Sequence, residues 1–521
     1  IVGVSMMYEP QKEIELLVRK SYEAEIFGKF KKGTYDKKED IGSVLKTAFE
    51  FYNNILTIHL NKVASIDMLA YVLSEYDHYY DLSIKYKKNE LSEEEKELWN
   101  SRGSRTKRAI KFLAEKIVKR LPNNMCNEID HHRELSYCWI AAEEMVALYM
   151  ASQVGFSLFP DDCVLTISDG GNYNFIEFRC KKLESAFEKI PLHDFSTNYE
   201  LSEVPPFDVS VQNDYFKEIF IDLFNIDYAS SLALIQYLIN CFKEEPSAVI
   251  KSFNFQSSTM IPALSQDYSE YGVSIEQISN LLGGFSLSKE KLKERLLYKP
   301  KQEYRALRRA FFEVEDKNEK VILFSKSMAL EELSQLIRSV CFRKLPSEWL
   351  ELNKGIEKSL ANFSNYTGSW FEDYLIAKLK EQGFECERSL KKFKVNGKNL
   401  YIPDSVGDID IVAKVGDKLH IIECKMVQFA SEPNGYLDDF DKFIKSDKSY
   451  KSKFNKKIRW VKDNIDVLRE NLLAKGWVLD SNIICEPFMV TFYPTIVSQF
   501  ISDFNCLDIN TYINTYVNKS L

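Results

Sequence analysis

The sequence predicts a multidomain protein in which a mainly α-helical N-terminal region is followed by a C-terminal α/β domain with a central mixed sheet flanked by helices. Three observations support this fold class. The chain has 521 residues, more than one hydrophobic core usually organises. Apolar residues recur with helical spacing through most of residues 1–346, and strand-like runs with tight turns concentrate after Gly368.

Residues 1–190 are expected to form a helical domain that contains one small hairpin. Ser92 and Glu95 have the spacing of a capping box, in which each side chain binds the other residue's backbone amide at a helix start. Residues 164–167 and 175–178 are β-rich runs that flank a Ser-Asp-Gly-Gly sequence suited to positive φ. We therefore predict a hairpin within an otherwise helical region.

A linker is predicted at residues 191–216, because helical periodicity lapses there and Pro205-Pro206 disfavours helix. A second helical block is expected over residues 217–346. The C-terminal α/β domain then covers residues 347–521.

Composition narrows the classes of protein that the chain can belong to. No stretch approaches eighteen uninterrupted apolar residues, so no membrane span is expected. The ten cysteines are scattered and form no CxxC pair, which favours reduced thiols in a cytoplasmic protein. A net charge of −8 neither supports nor excludes nucleic acid, because a local basic surface matters more than the total. A Walker A pattern is absent from the sequence, so any ATP-driven step would need an ATPase supplied in trans by a partner protein.

The most informative segment is a predicted hairpin in the C-terminal domain. Residues 408–412 and 419–425 are strand-like runs, and Gly416-Asp417 between them suits a two-residue loop. A loop of that length fixes which residues of the two strands lie opposite each other. The hairpin register can therefore be predicted from the sequence.

In this register Asp410 lies opposite Glu423, and Asp408 lies opposite Lys425. All four side chains share one face, because strand residues alternate between faces. Directly opposed residues have Cβ atoms about 5 Å apart, and two opposed carboxylates destabilise a sheet unless a cation lies between them. Oxygen ligands of this kind suit Mg²⁺, for which Mn²⁺ can substitute. The predicted chemistry is phosphodiester hydrolysis, in which Lys425 orients the attacking water and stabilises developing negative charge.

At these residues the sequence resembles the PD-(D/E)XK nuclease superfamily, specifically the restriction-endonuclease-like domains of the Mrr type. The resemblance covers about residues 367–494 and rests on three motifs in order: Phe371-Glu372 within a helix from Gly368 to Gly383, then Gly407-Asp408-Ile409-Asp410, then Glu423-Cys424-Lys425. It implies a restriction-endonuclease-like fold in which Asp410 and Glu423 hold the metal. It further implies that Lys425 assists the water and that Glu372 supports a metal or its waters.

A basic segment follows these motifs. Residues 442–462 contain eight lysines and one arginine but a single acidic residue, Asp447. We predict contacts with the nucleic-acid backbone from Lys451, Lys453, Lys456, Lys457 and Arg459. The alternative is a lysine-rich helix face that is merely solvated.

The resulting hypothesis is a metal-dependent deoxyribonuclease of a bacterial restriction or anti-phage system, whose helical N-terminal region recognises DNA or a partner protein. An RNase or a structure-specific nuclease is one alternative. Another is a non-catalytic scaffold subunit with a vestigial nuclease domain. A duplex cutter needs two active sites or two sequential events, which is compatible with a homodimer.

Overall fold

The computed structural model divides the chain into two compact units. It describes the residues 8–121, 129–169, 175–189, 204–243, 250–292, 306, 308–395, 398–430 and 433–518. Unit 1 consists of Ile1–Lys182 and Ser202–Leu360, and unit 2 consists of Leu183–Leu201 and Ala361–Leu521. Among the described helices, none is both long enough and apolar enough to cross a lipid bilayer.

Helices make up most of unit 1. In chain order from Lys12 to Glu381 the α-helices are α1 (Lys12–Lys29), α2 (Lys38–Val63), α3 (Ile66–Lys87), α4 (Glu93–Leu98), α5 (Ser104–Arg120), α6 (His131–Met150), α7 (Lys181–Lys189), α8 (Val209–Phe224), α9 (Tyr228–Cys241), α10 (Ser257–Asp267), α11 (Ile275–Gly283), α12 (Lys326–Ser339), α13 (Ser347–Leu352) and α14 (Gly355–Glu381). Both α7 and α14 include residues of each unit. The predicted capping box begins α4, with reciprocal bonds between Ser92 and Glu95.

The hairpin predicted near residue 170 is confirmed. Strands β2 (Cys163–Ile167) and β3 (Ile176–Cys180) pair antiparallel, and β1 (Gly33–Tyr35) adds a third strand beside β2. The loop residues 170–174 lie outside the described part of the chain.

A second sheet lies in the segment that the sequence predicts to be a second helical block, residues 217–346. Strands β4 (Phe253–Gln256), β5 (Ser286–Leu287), β6 (Phe311–Asp316) and β7 (Glu319–Phe324) form it in the order β4-β7-β6-β5. The prediction of helix was therefore wrong for these strands. Their runs are short, and only β6 and β7 are joined locally, through Lys317 and Asn318 at φ +48° and +70°.

The segment predicted as a linker, residues 191–216, is partly helical. Residues 190–203 lie outside the described part, but α8 already begins at Val209. The Asp208 side chain caps this helix by accepting the Ser210 backbone N–H, directly after Pro205-Pro206. The two prolines begin a short 3-10 helix, Pro205–Phe207, that ends just before this cap, so they prevent α-helix only up to Asp208. The helical blocks on either side of this segment fall within one compact unit.

Unit 2 is an α/β unit around a five-stranded mixed sheet. Its strands are β8 (Cys386–Leu390), β11 (Ile409–Val415), β12 (Lys418–Lys425), β13 (Ile484–Thr491) and β14 (Asn505–Asp508), in the order β14-β13-β12-β11-β8. The β8, β11 and β12 strands run antiparallel, whereas β12, β13 and β14 run parallel. The predicted α/β class with a mixed sheet is confirmed.

The remaining elements of unit 2 surround this sheet or form a small hairpin of their own. The hairpin joins β9 (Lys392–Val395) and β10 (Lys398–Tyr401), with its turn residues 396–397 outside the described part. The helices after the sheet's central strands are α15 (Pro433–Phe440), α16 (Tyr450–Asp463), α17 (Ile465–Ala474) and α18 (Ile509–Tyr512).

The helix predicted to carry Glu372 is longer than expected. It extends back to Gly355 as α14, and Gly383, just after its end, has φ +79°. Phe371 and Leu375 on this helix are fully buried, and Phe371 packs edge-on against Phe492 with ring centroids 5.6 Å apart. This packing fixes the rotation of α14 and so the direction in which Glu372 points.

Candidate active site

The β11–β12 hairpin has the predicted register. Val415 pairs with Lys418 across the turn, and the ladder continues in step to Ile411 opposite Ile422. Gly416 has φ +63°, which suits a tight two-residue turn. The next residue of each strand is Asp410 and Glu423, so the two carboxylates meet as the sequence predicts.

Alternation along the strands explains why both carboxylates point to one side. Ile411 and Ile422 are fully buried in the apolar core on the opposite face of the sheet. The Asp410 side chain is 14% exposed and the Glu423 side chain is 7% exposed. Asp410 Oδ2 also accepts the backbone N–H of Cys424 at 2.9 Å, which fixes the Asp410 side chain across the strand pair.

Two lysine side chains contact this pair of carboxylates. Lys425 Nζ lies 2.6 Å from Glu423 Oε1 and 3.9 Å from Asp410 Oδ2. Lys457 Nζ lies 2.5 Å from Glu423 Oε2 and 3.3 Å from Asp410 Oδ1. Two carboxylates and two ammonium groups therefore form one compact, largely buried ion cluster.

The position of Lys457 corrects the sequence prediction, which assigned it to nucleic-acid contacts on the surface. Lys457 is buried because α16 turns Phe454, Lys457 and Val461 inward. Its Cε lies 3.6 Å from the position that a Cβ on Gly407 would occupy, so the lysine stem passes over a residue without a side chain. The i, i+3, i+7 spacing of Phe454, Lys457 and Val461 is the signal that could have placed Lys457 on the buried face.

The other predicted basic residues lie on the outer part of α16. Lys453, Lys456 and Arg459 are exposed. Each follows the previous one by three residues, so their side chains occupy neighbouring positions around the exposed side of the helix. Lys451 is half-buried and lies 3.2 Å from the Asp503 carboxylate. Three of the five predicted residues thus form an exposed basic face, which we call the α16 basic face.

Glu372 lies beside the cluster, but an arginine holds it. Arg388 Nε of β8 donates to Glu372 Oε2 at 3.0 Å, and Arg388 also contacts Asp373. Burial raises the pKa of Glu372, and the nearby charge of Asp410 adds to this effect. In the described part of the chain no group of three or more His, Cys, Asp or Glu side chains is arranged to hold a metal ion.

Asp408 does not occupy its predicted position opposite Lys425. β11 begins only at Ile409, after Gly407 with φ +78°, so Asp408 precedes the paired strand. Its side chain is 46% exposed and lies 3.0 Å from Lys391 Nζ. The prediction was wrong because the strand alternation was extended past the point where the chain turns.

The charges of the cluster influence one another strongly. Burial raises the pKa of Asp410, and the adjacent Glu423 charge raises it further against the opposing effect of the lysines. Burial also acts to raise the pKa of Glu423, but Lys425 and Lys457 outweigh it, so this pKa is lowered. Burial alone would lower the pKa of Lys425, yet the two carboxylates raise it. Glu423 and Lys425 are therefore held in their charged forms.

Tyr450, at the start of α16, is a further neighbour that the sequence did not indicate. The Lys425 ammonium lies 5.4 Å from the centre of the Tyr450 ring, within the range of a cation–π contact. Tyr450 is held there by ring packing against Phe443 and by the Ser449 cap of the helix.

The donor atoms at the site fit a divalent cation such as Mg²⁺. Asp410 and Glu423 offer hard carboxylate oxygens from adjacent strands, and Mg²⁺ is typically held by one or two carboxylates together with waters and substrate phosphate. Glu372 is near enough for the charge of Asp410 to raise its pKa, but its carboxylate is held by Arg388. Comparisons of the chain with protein-family models, curated proteins and solved structures find no match.

Proposed function

We propose that unit 2 is a Mg²⁺-dependent endonuclease with a restriction-endonuclease-like fold that hydrolyses phosphodiester bonds of DNA. The observation that carries this proposal is the buried pair of Asp410 and Glu423 on adjacent antiparallel strands, with Lys425 two residues after Glu423 on the same face. A mixed sheet flanked by helices surrounds this pair, as the resemblance of the three sequence motifs to PD-(D/E)XK nucleases implies.

Asp410 and Glu423 would hold the metal ion in this proposal. When bound, Mg²⁺ supplies neutralisation of phosphate charge and activation of water for attack at phosphorus. The Lys425 ammonium orients the attacking water and stabilises the negative charge that develops on the phosphate oxygens. Its contact with Glu423 at 2.6 Å and the Tyr450 ring beside it keep the ammonium at the carboxylates.

Substrate binding is assigned to the α16 basic face. Lys453, Lys456 and Arg459 are exposed on the same helix that delivers Lys457 to the carboxylates. Cations placed this close to the site can bind backbone phosphates on either side of the bond to be cut. We further propose that the protein acts in the cytoplasm within a bacterial restriction or anti-phage system, with unit 1 recognising DNA or a partner protein.

The deciding experiment incubates the purified full chain with supercoiled plasmid, linear duplex, single-stranded DNA and RNA in Mg²⁺, Mn²⁺ or EDTA. We expect cleavage of DNA that requires the metal and is lost in Glu423→Gln and Lys425→Met. Asp417→Asn is the matched control, because this carboxylate lies exposed in the turn of the same hairpin. Cleavage by Glu423→Gln at the wild-type rate would exclude the site, and cleavage confined to RNA would replace the substrate assignment.

A further inference from the structure

We infer that Lys457 is a built-in counter-ion of the Asp410–Glu423 pair, and that a divalent cation binds both carboxylates only when the Lys457 ammonium withdraws. This inference rests on the proposed metal site and adds a residue that controls its occupancy. Lys457 belongs to α16, a different element from the hairpin that carries the carboxylates. Lys457 is therefore a positioning residue that can move while the hairpin stays in place.

The partners of the four carboxylate oxygens show where a cation can bind. Asp410 Oδ2 accepts the backbone N–H of Cys424, and Glu423 Oε1 contacts the Lys425 ammonium at 2.6 Å. The other two oxygens, Asp410 Oδ1 and Glu423 Oε2, both contact Lys457 Nζ. A cation that bridges the carboxylates through this second pair of oxygens must take the place of the Lys457 ammonium.

The charge balance leads to the same conclusion. Two carboxylates and two ammonium groups are close to electroneutral as a cluster. Adding a divalent ion while both lysines stay would leave an excess of two positive charges in a site where Lys457 and Glu423 are less than 10% exposed. Uncompensated charge is unfavourable at such a site. Withdrawal of one ammonium therefore accompanies binding.

Lys457 is better placed to withdraw than Lys425. Lys425 is the last residue of β12, contacts Glu423 through the other oxygen and rests against the Tyr450 ring. The Lys457 stem passes over Gly407, with Cε 3.6 Å from the position that a Cβ on this glycine would occupy. A lysine has a flexible four-carbon stem, so its ammonium can retract without a change in the helix.

The test measures Mn²⁺ binding to the full chain by the electron paramagnetic resonance signal of free Mn²⁺, without substrate. We expect Lys457→Met to bind Mn²⁺ about tenfold more tightly than wild type, because no Lys457 ammonium then competes with Mn²⁺ for the two carboxylates. Lys462→Met, which removes the same charge from an exposed position of α16 outside the basic face, should leave the affinity unchanged. Glu423→Gln should lose binding.

Thermal melting gives a second readout. Metal-free Lys457→Met should melt at a lower temperature than wild type, since Asp410 and Glu423 then share one ammonium, and Mn²⁺ should raise its melting temperature more than that of wild type. If Lys457→Met fails to fold, Lys457→Gln takes its place.

The outcomes separate the two proposals. Equal or weaker Mn²⁺ affinity in the folded Lys457 variant, with loss of binding in Glu423→Gln, would overturn the counter-ion inference and leave the metal site standing. No Mn²⁺ binding by either wild type or the Lys457 variant would overturn the metal site and the inference together.

Discussion

Asp410 and Cys424 are joined across the hairpin by a hydrogen bond from the Cys424 backbone N–H to Asp410 Oδ2, 2.9 Å long. This bond uses one oxygen of the aspartate to fix the side chain and leaves the other directed at the cluster. An asparagine can keep the same bond through its side-chain oxygen. The charge of Asp410 can therefore be removed without removing its anchor.

On this basis Asp410→Asn should stay folded but lose metal-dependent cleavage by a factor of about 10² or more, as is typical when a group that stabilises transition-state charge is removed. Asp408→Asn is the matched control, since Asp408 is half-exposed and pairs with Lys391 instead. We expect it to retain Mn²⁺ binding and most of the activity. Loss of Mn²⁺ binding in Asp408→Asn with retention in Asp410→Asn would reverse the assignment of the two aspartates.

The α16 basic face can be tested by salt dependence. Replacing Lys453, Lys456 and Arg459 together by alanine should weaken duplex DNA binding and lower the slope of log affinity against log salt by up to about 3, since each phosphate that a cation neutralises adds about 0.9 to that slope. Fluorescence anisotropy at several salt concentrations measures both. Lys380→Ala, an exposed cation of α14, should change neither. An unchanged slope in the triple variant would show that DNA binds to a different surface of the protein.

Acid should destabilise unit 2 through His420. This residue is fully buried against Phe488 and Tyr512, and burial lowers its pKa from 6.5 to about 4. The folded state thus keeps His420 neutral. The free energy of unfolding is therefore unaffected by this residue above pH 6.5 and decreases as the pH falls from 6.5 towards 4. With about 1.4 kcal/mol per pKa unit, this group should lower stability by about 2 kcal/mol between pH 8 and pH 5.

Denaturant unfolding at a series of pH values checks this dependence. His420→Gln should flatten the profile between pH 5 and pH 7, whereas His131→Gln, at an exposed helix start, should leave it as in wild type. The same acid-induced loss in His420→Gln would show that another group is responsible.

Two glycines of unit 2 should respond to alanine in opposite directions. Gly416 has φ +63° in the hairpin turn, so Gly416→Ala should cost about 1 kcal/mol of unfolding free energy. Gly368 lies inside α14 with open space where a Cβ would point, so Gly368→Ala should stabilise by about 0.5–1 kcal/mol. Thermal or urea denaturation of both variants measures the difference. Equal changes of the same sign would contradict it.

The features predicted well from the sequence are those set by local geometry. A two-residue turn and the alternation of strand side chains are enough to bring Asp410 opposite Glu423. The predicted position of Asp408 was wrong because the start of β11 depends on the turn at Gly407. The alternation of strand side chains does not indicate that turn.

The features missed depend on packing between distant segments. The charges of α16 are visible in the sequence, but the contact of Lys457 with Asp410 and Glu423 depends on how α16 packs on the hairpin. Likewise, β4 is a run of four residues, and its partner β7 lies far along the chain. No local sequence pattern therefore predicts the pairing of these two strands. Only the β6–β7 turn at Lys317 and Asn318 had a local signal.

The two-residue turn at Gly416 and Asp417 fixes the number of residues between the two strands of the hairpin. Inserting one residue there would shift the pairing by one and reverse the faces of the second strand. Glu423 would then point into the apolar core, and a neighbour without a carboxylate, Ile422 or Cys424, would take its place beside Asp410. Substitutions around this hairpin can be absorbed gradually, but a single-codon insertion or deletion in the turn would dismantle the site in one step.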